Sequence, residues 1–102
     1  MKNIPNEHPL FMYSTIKVKY NNQIKERRVA FAGVIDNNTI NIGEAVCSEK
    51  DIFDKKIGRQ IALGRAIKKP VYQITIEDDK KPSDLFVNFC KDLISNKEFE
   101  NI

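Results

Sequence analysis

The chain has 102 residues, room for one hydrophobic core and not for two. Apolar residues make up 41% of it and charged residues 30%, a balance that excludes a disordered chain and predicts a single folded domain over 1–102. Seventeen Lys and Arg against fourteen Asp and Glu leave a net charge of +3, too small for a surface wholly given to coating DNA but sufficient for a local basic patch or a small anion.

Residues 1–9, with Pro5 and Pro9 and no periodicity, predict an irregular arm. From Leu10, aromatic and β-branched residues dominate, and Ile16, Val18 and Tyr20 alternate with Lys17 and Lys19 as a half-buried strand requires. Asn21-Asn22-Gln23 supplies a tight turn because Asn tolerates positive φ, and Ile24 to Ile35 reads as the returning strand of a hairpin. A second turn at Asp36-Asn37-Asn38 leads into a third strand from Thr39 to Cys47, whose Gly43 marks a bulge or a close backbone approach.

Ser48 and Asp51 are spaced as a capping box, and helical periodicity runs from there to about Lys69. Phe53, Ile57, Ile61, Gly64 and Ile67 form its apolar stripe, with Gly58, Ala62 and Ala66 recurring every four residues on nearly the opposite side, so the helix is expected to pack on both sides. Pro70 ends the helix, Val71 to Ile76 alternates as a fourth strand, and a charged EDDKK loop follows. Pro82-Ser83-Asp84 opens a second helix carrying Leu85, Phe86, Phe89, Cys90, Leu93 and Ile94 on one face, and residues 97–102 are expected to fray. The order βββαβα predicts an α+β fold, a four-stranded, largely antiparallel sheet with two helices.

No nucleophile-elbow, P-loop or dinucleotide fingerprint occurs. His8 lies in the irregular arm without the fixed orientation a general base needs, and Cys47 and Cys90 have no C-x-x-C pairing or nearby His. Both cysteines read as reduced, structural thiols of a cytoplasmic protein, and no run of 18 apolar residues spans a membrane. Glu77, Asp78 and Asp79 run directly into Lys80 and Lys81 and read as a solvated loop. Neither a metal nor a cofactor is expected, and the chain reads as a binding protein, not an enzyme.

Both helices begin with acidic residues that repel anions, so an anion site must use side chains. Lys55, Lys56 and Arg59 offer charge on one flank of the first helix and Arg65 on the other, with Phe86 or Tyr72 as stacking surfaces for an adenine. The Gly58, Ala62, Ala66 row reads either as a thin exposed face or as close helix packing across a homodimer, and the latter would bring two sets of arginines together around a shared pocket.

The segment from Gly43 to Phe53 (GEAVCSEKDIF), continuing through Lys56-Ile57-Gly58-Arg59 and Ala62-Leu63-Gly64-Arg65, resembles a pattern in small phage and prophage proteins. Among these it is similar to the Thoeris anti-defence family, cytoplasmic sponges that sequester the cyclic ADP-ribose-type signal of bacterial TIR immunity and also hold cyclic oligonucleotides. The resemblance implies a non-enzymatic homo-oligomer that grips a small anionic nucleotide ligand at subunit interfaces with arginines and aromatic rings. The residues themselves support a second reading, a small phage nucleic-acid-binding or protein-inhibiting factor of the anti-CRISPR or anti-restriction type. Its basis is the basic hairpin with Lys17, Lys19, Lys25, Arg27 and Arg28, a ribbon of a kind that enters a major groove.

Overall fold

The structure is a computed structural model that describes residues 8–47, 54–96 and 100–101. The Ser48 and Asp51 capping pair, Phe53 and all of the expected N-terminal arm except His8 and Pro9 lie outside these residues. Strands β1 (Leu10–Tyr20), β2 (Gln23–Asp36) and β3 (Thr39–Val46) form the expected antiparallel meander. Helix α1 (Lys55–Lys68), strand β4 (Tyr72–Thr75) and helix α2 (Pro82–Asn96) follow. The sheet order is β4-β3-β2-β1, all antiparallel, and a two-residue strand β5 (Glu100–Asn101) adds to β1 in parallel, opposite Val18 and Lys19. Part of the segment expected to fray is thus paired.

The turns form for the reason read in the sequence. Asn21 and Asn22 hold φ of 51° and 65°, the two successive left-handed residues of a type I′ hairpin, whose twist matches that of the flanking strands. At the next turn Asn37 has φ 56°, and the Thr39 hydroxyl donates to the Asp36 carbonyl at 2.9 Å.

Helix α1 begins later than its periodicity suggests. Asp54 has extended backbone (φ −123°, ψ 114°), and its Oδ1 accepts from the N–H groups of Lys56 at 2.9 Å and Ile57 at 3.3 Å, so Asp54 is the N-cap. Asp54→Ala should cost about 1 kcal/mol, read as a melting temperature lower by about 4–8 °C in a domain of this size.

The helices cover opposite faces. On the α2 side, Phe31, Ile40, Ile42, Val29 and Ile16 pack with Phe86 and Cys90. On the α1 side, Ala30, Ala32, Val34 and Ala45 pack with Ala62 and Ala66. Each helix settles on a glycine. A Cβ on Gly33 would lie 2.8 Å from Phe86 Cδ1 and 3.1 Å from Ile40 Cγ2, and one on Gly43 would run into the Ala62 carbonyl oxygen and the Ala66 nitrogen. Gly43 is therefore the close backbone approach that its place in a strand suggested.

Among the described residues, α1 packs by one face and not by the two expected. The small-residue row is the inner face, with Ala62 and Ala66 fully buried against the chain's own sheet, while Ile57, Ile61 and Ile67 are 54%, 43% and 63% exposed. Ala62 and Ala66, expected at a homodimer interface, are thus taken up by the chain's own sheet, while Gly58 is half-buried. At Gly43 the helix backbone lies so close to β3 that a Cβ has no room.

Candidate functional site

Strands β1 and β2 outrun β3, which pairs only with Val29–Asp36, so Thr15–Tyr20 and Gln23–Arg28 continue beyond the body as a ribbon about 20 Å long. Alternation sets which residues face which way. Phe11 and Tyr13 lie under α1, so Thr15, Lys17 and Lys19 share that side, and the antiparallel register adds Arg28, Glu26 and Ile24 opposite them.

Helix α1 continues the same surface. Lys55 and Arg59 reach back over β1, with Lys55 Nζ 5.1 Å from the Tyr13 ring centroid and Arg59 Cζ 5.3 Å from that of Phe11. Each contact is worth about 0.5–1 kcal/mol at an exposed site and orients its cation at the base of the ribbon. Lys56, Arg65, Lys68 and Lys69 complete the helix, which has no acidic residue after its cap. Among the described residues, the α1 side thus carries nine exposed cations (Lys17, Lys19, Arg28, Lys55, Lys56, Arg59, Arg65, Lys68 and Lys69) against the carboxylates of Glu26, Asp36 and Asp54. The modest net charge of the whole chain conceals this asymmetry.

The residues proposed for one pocket are not gathered in one place. Lys55 and Arg59 sit together over β1, whereas Arg65 points to the other edge, where its Nη1 donates to the Glu44 carbonyl at 2.7 Å. Phe86 is buried on Gly33, and Tyr72 stands edge-on to Phe89 at 5.5 Å, both on the α2 side. The sheet separates these two rings from the cations of α1, so Phe86 is a core residue and not a stacking platform. His8 is exposed, as are Asp78 and Asp79, and Lys80 Nζ lies 3.5 Å from the Glu77 carboxylate. Among the described residues no group of His, Cys, Asp and Glu is placed to hold a metal.

The ribbon has a third neighbour that sequence reasoning missed. Strand β5 runs along β1 at Val18 and Lys19, and Ile16 is buried on the α2 side, so the accessible surface is a platform facing the α1 side and not a bare two-stranded finger. Nothing in a two-residue strand marks it in the sequence. Glu44 was also missed: it is buried, with its carbonyl held by Arg65.

Burial raises the Cys90 thiol from 9.0 to about 12, and the negative charge of Glu44 adds to the effect. The native thiol should therefore resist alkylation at pH 8 under conditions that modify the unfolded chain, as mass spectrometry of the labelled peptide would show. Its linkage to stability follows from the upward shift. Below 9.0 both states keep the proton and stability is unaffected; from there to about 12 the unfolded thiol ionises while the folded one does not, so stability falls as pH rises through that window.

Comparison with known proteins returns no match to a protein-family model, a curated protein or a solved structure.

Proposed function

We propose that the chain is a binding protein for the phosphate backbone of nucleic acid, gripping it with the basic platform of the ribbon and the adjoining helix α1. The observation that supports this reading is the collection of nine exposed cations on one side of the sheet, on two elements that meet at Lys55 and Arg59. Rows of Lys and Arg held on rigid elements exchange condensed counterions for phosphate contacts, which favours binding without requiring base recognition. Sequestration of a nucleotide immune signal, implied by the resemblance to the Thoeris anti-defence family, is less well supported. The rings expected to stack a base, Phe86 and Tyr72, lie across the sheet from the arginines, and Phe11, the ring beside Arg59, is half-buried against the cluster under α1.

The test is fluorescence anisotropy with a short DNA duplex across a salt series. Binding should weaken linearly in log–log form, with a slope of about 0.9 for each phosphate neutralised. Absence of binding at low salt would overturn the reading, and intact release of a cyclic nucleotide from the purified protein on heating would favour sequestration instead.

A further inference from the structure

Strand β4 pairs with β3 only through Thr39–Ile42, so beyond Ile42 the outer edge of β3 has no strand beside it among the described residues. The chain leaving α1 passes this edge through Lys69, Pro70 and Val71, and the Val71 N–H donates to the Ile42 carbonyl at 2.8 Å. Between the edge and this link is an open cavity of about 550 Å³ lined by Glu44, Val46, Arg65, Lys69, Pro70 and Val71. We propose that this cavity binds a small organic anion, a phosphate or carboxylate joined to an apolar ring.

The polar end of the site is built around Arg65. Its hydrogen bond to the Glu44 carbonyl fixes the guanidinium at the cavity rim and leaves further N–H donors of its fork for an anion. Lys69 follows one turn later, with its main-chain N–H bonded to the Arg65 carbonyl at 2.8 Å, which places a second cation on the same flank. The Cys47 N–H donates to Arg28 on β2, so alternation turns the main-chain groups of Val46 outward, like those of Ile42 and Glu44, and its N–H faces the cavity side. The same alternation places the Glu44 carboxylate on the α2 side, where its charge acts on Cys90.

The apolar end is Val46, Pro70 and Val71, with the two valines 45% and 53% exposed. A volume in the range of about 300–1,000 Å³ suits a small molecule, not a polymer backbone. An ion alone would leave the valines wet, and a neutral ring would leave both cations unused.

The test is an amide-resolved NMR titration with phenyl phosphate, inorganic phosphate and benzyl alcohol as separate probes. Phenyl phosphate should shift Glu44 to Cys47 and Lys69 to Val71 and bind at least about tenfold more tightly than either other probe. Arg65→Ala should weaken it by about tenfold or more. Val71→Asp, which leaves every cation in place, should weaken it similarly while the protein melts as the wild type does. Three results would each overturn the proposal: no shifts at the cavity, equal affinity for all three probes, or shifts spread evenly over Lys17, Lys19 and Lys55. Duplex binding is measured separately, so failure here leaves the nucleic-acid reading standing.

Discussion

Gly43→Ala should unfold this protein more readily than almost any other single methyl addition, lowering its stability by about 3 kcal/mol or more. The new Cβ meets main chain, the Ala62 carbonyl oxygen and the Ala66 nitrogen, with Ala66 Cα 3.1 Å away. A flexible side chain could swing aside, but a helix backbone cannot. The whole of α1 would have to lift, loosening the contacts that bury Ala30, Ala32, Ala45, Ala62 and Ala66. In a domain of this length the loss corresponds to a melting temperature lower by about 12 °C or more. Gly64→Ala is the matched control. Among the described residues, no atom beyond its own stretch of helix lies within 4 Å of where the added methyl would stand, and replacing a glycine inside a helix should raise stability by about 0.5–1 kcal/mol. Denaturant unfolding of both variants decides the matter, and equal stability for Gly43→Ala and wild type would refute the docking of α1 on β3.

Reversing charge on the platform should abolish most duplex binding. Lys17 and Lys19 stand on the ribbon, Lys55 and Arg59 at its base, and all four are exposed on the same side of the sheet. Each phosphate contact removed should reduce the salt slope by about one, so Lys17→Glu, Lys19→Glu, Lys55→Glu and Arg59→Glu together should reduce it by about four. Lys91→Glu changes the same kind of charge on α2, across the sheet, and should leave the slope unaltered. If Lys91→Glu weakens binding as much as a platform substitution, the affinity reflects overall charge and the proposed surface is wrong.

The meander and its turns were legible because each rests on a local rule. Alternation places Ile16, Val29 and Phe31 inward, and paired asparagines supply the positive φ that the first hairpin needs. Periodicity also found both helices, but it could not say which side of α1 faces inward. Ile57, Ile61 and Ile67 make the more hydrophobic stripe, yet the separation between helix and sheet selects by size, and Ala62 and Ala66 win beside Gly43. The expectation that Ala62 and Ala66 meet a second copy has the same origin, since small residues permit close approach without naming the surface approached. The basic side was only half legible. Its ribbon lysines and helix cations were identified separately, and only the three-dimensional register places them on one surface, while it parts Arg59 from Phe86.

Helix α2 has a consequence for the order in which the chain becomes safe from aggregation. It follows all four antiparallel strands in the sequence, yet it packs on the side of the sheet that carries Phe31, Ile40 and Ile42. During synthesis the meander is available to pair well before its cover exists, and the strands then present Ile16, Val29, Phe31, Ile40 and Ile42 to the surrounding solution. The interval ends only when Phe86 reaches Gly33. A segment that looks like a C-terminal addition to a finished sheet is the element that makes a newly made chain self-contained.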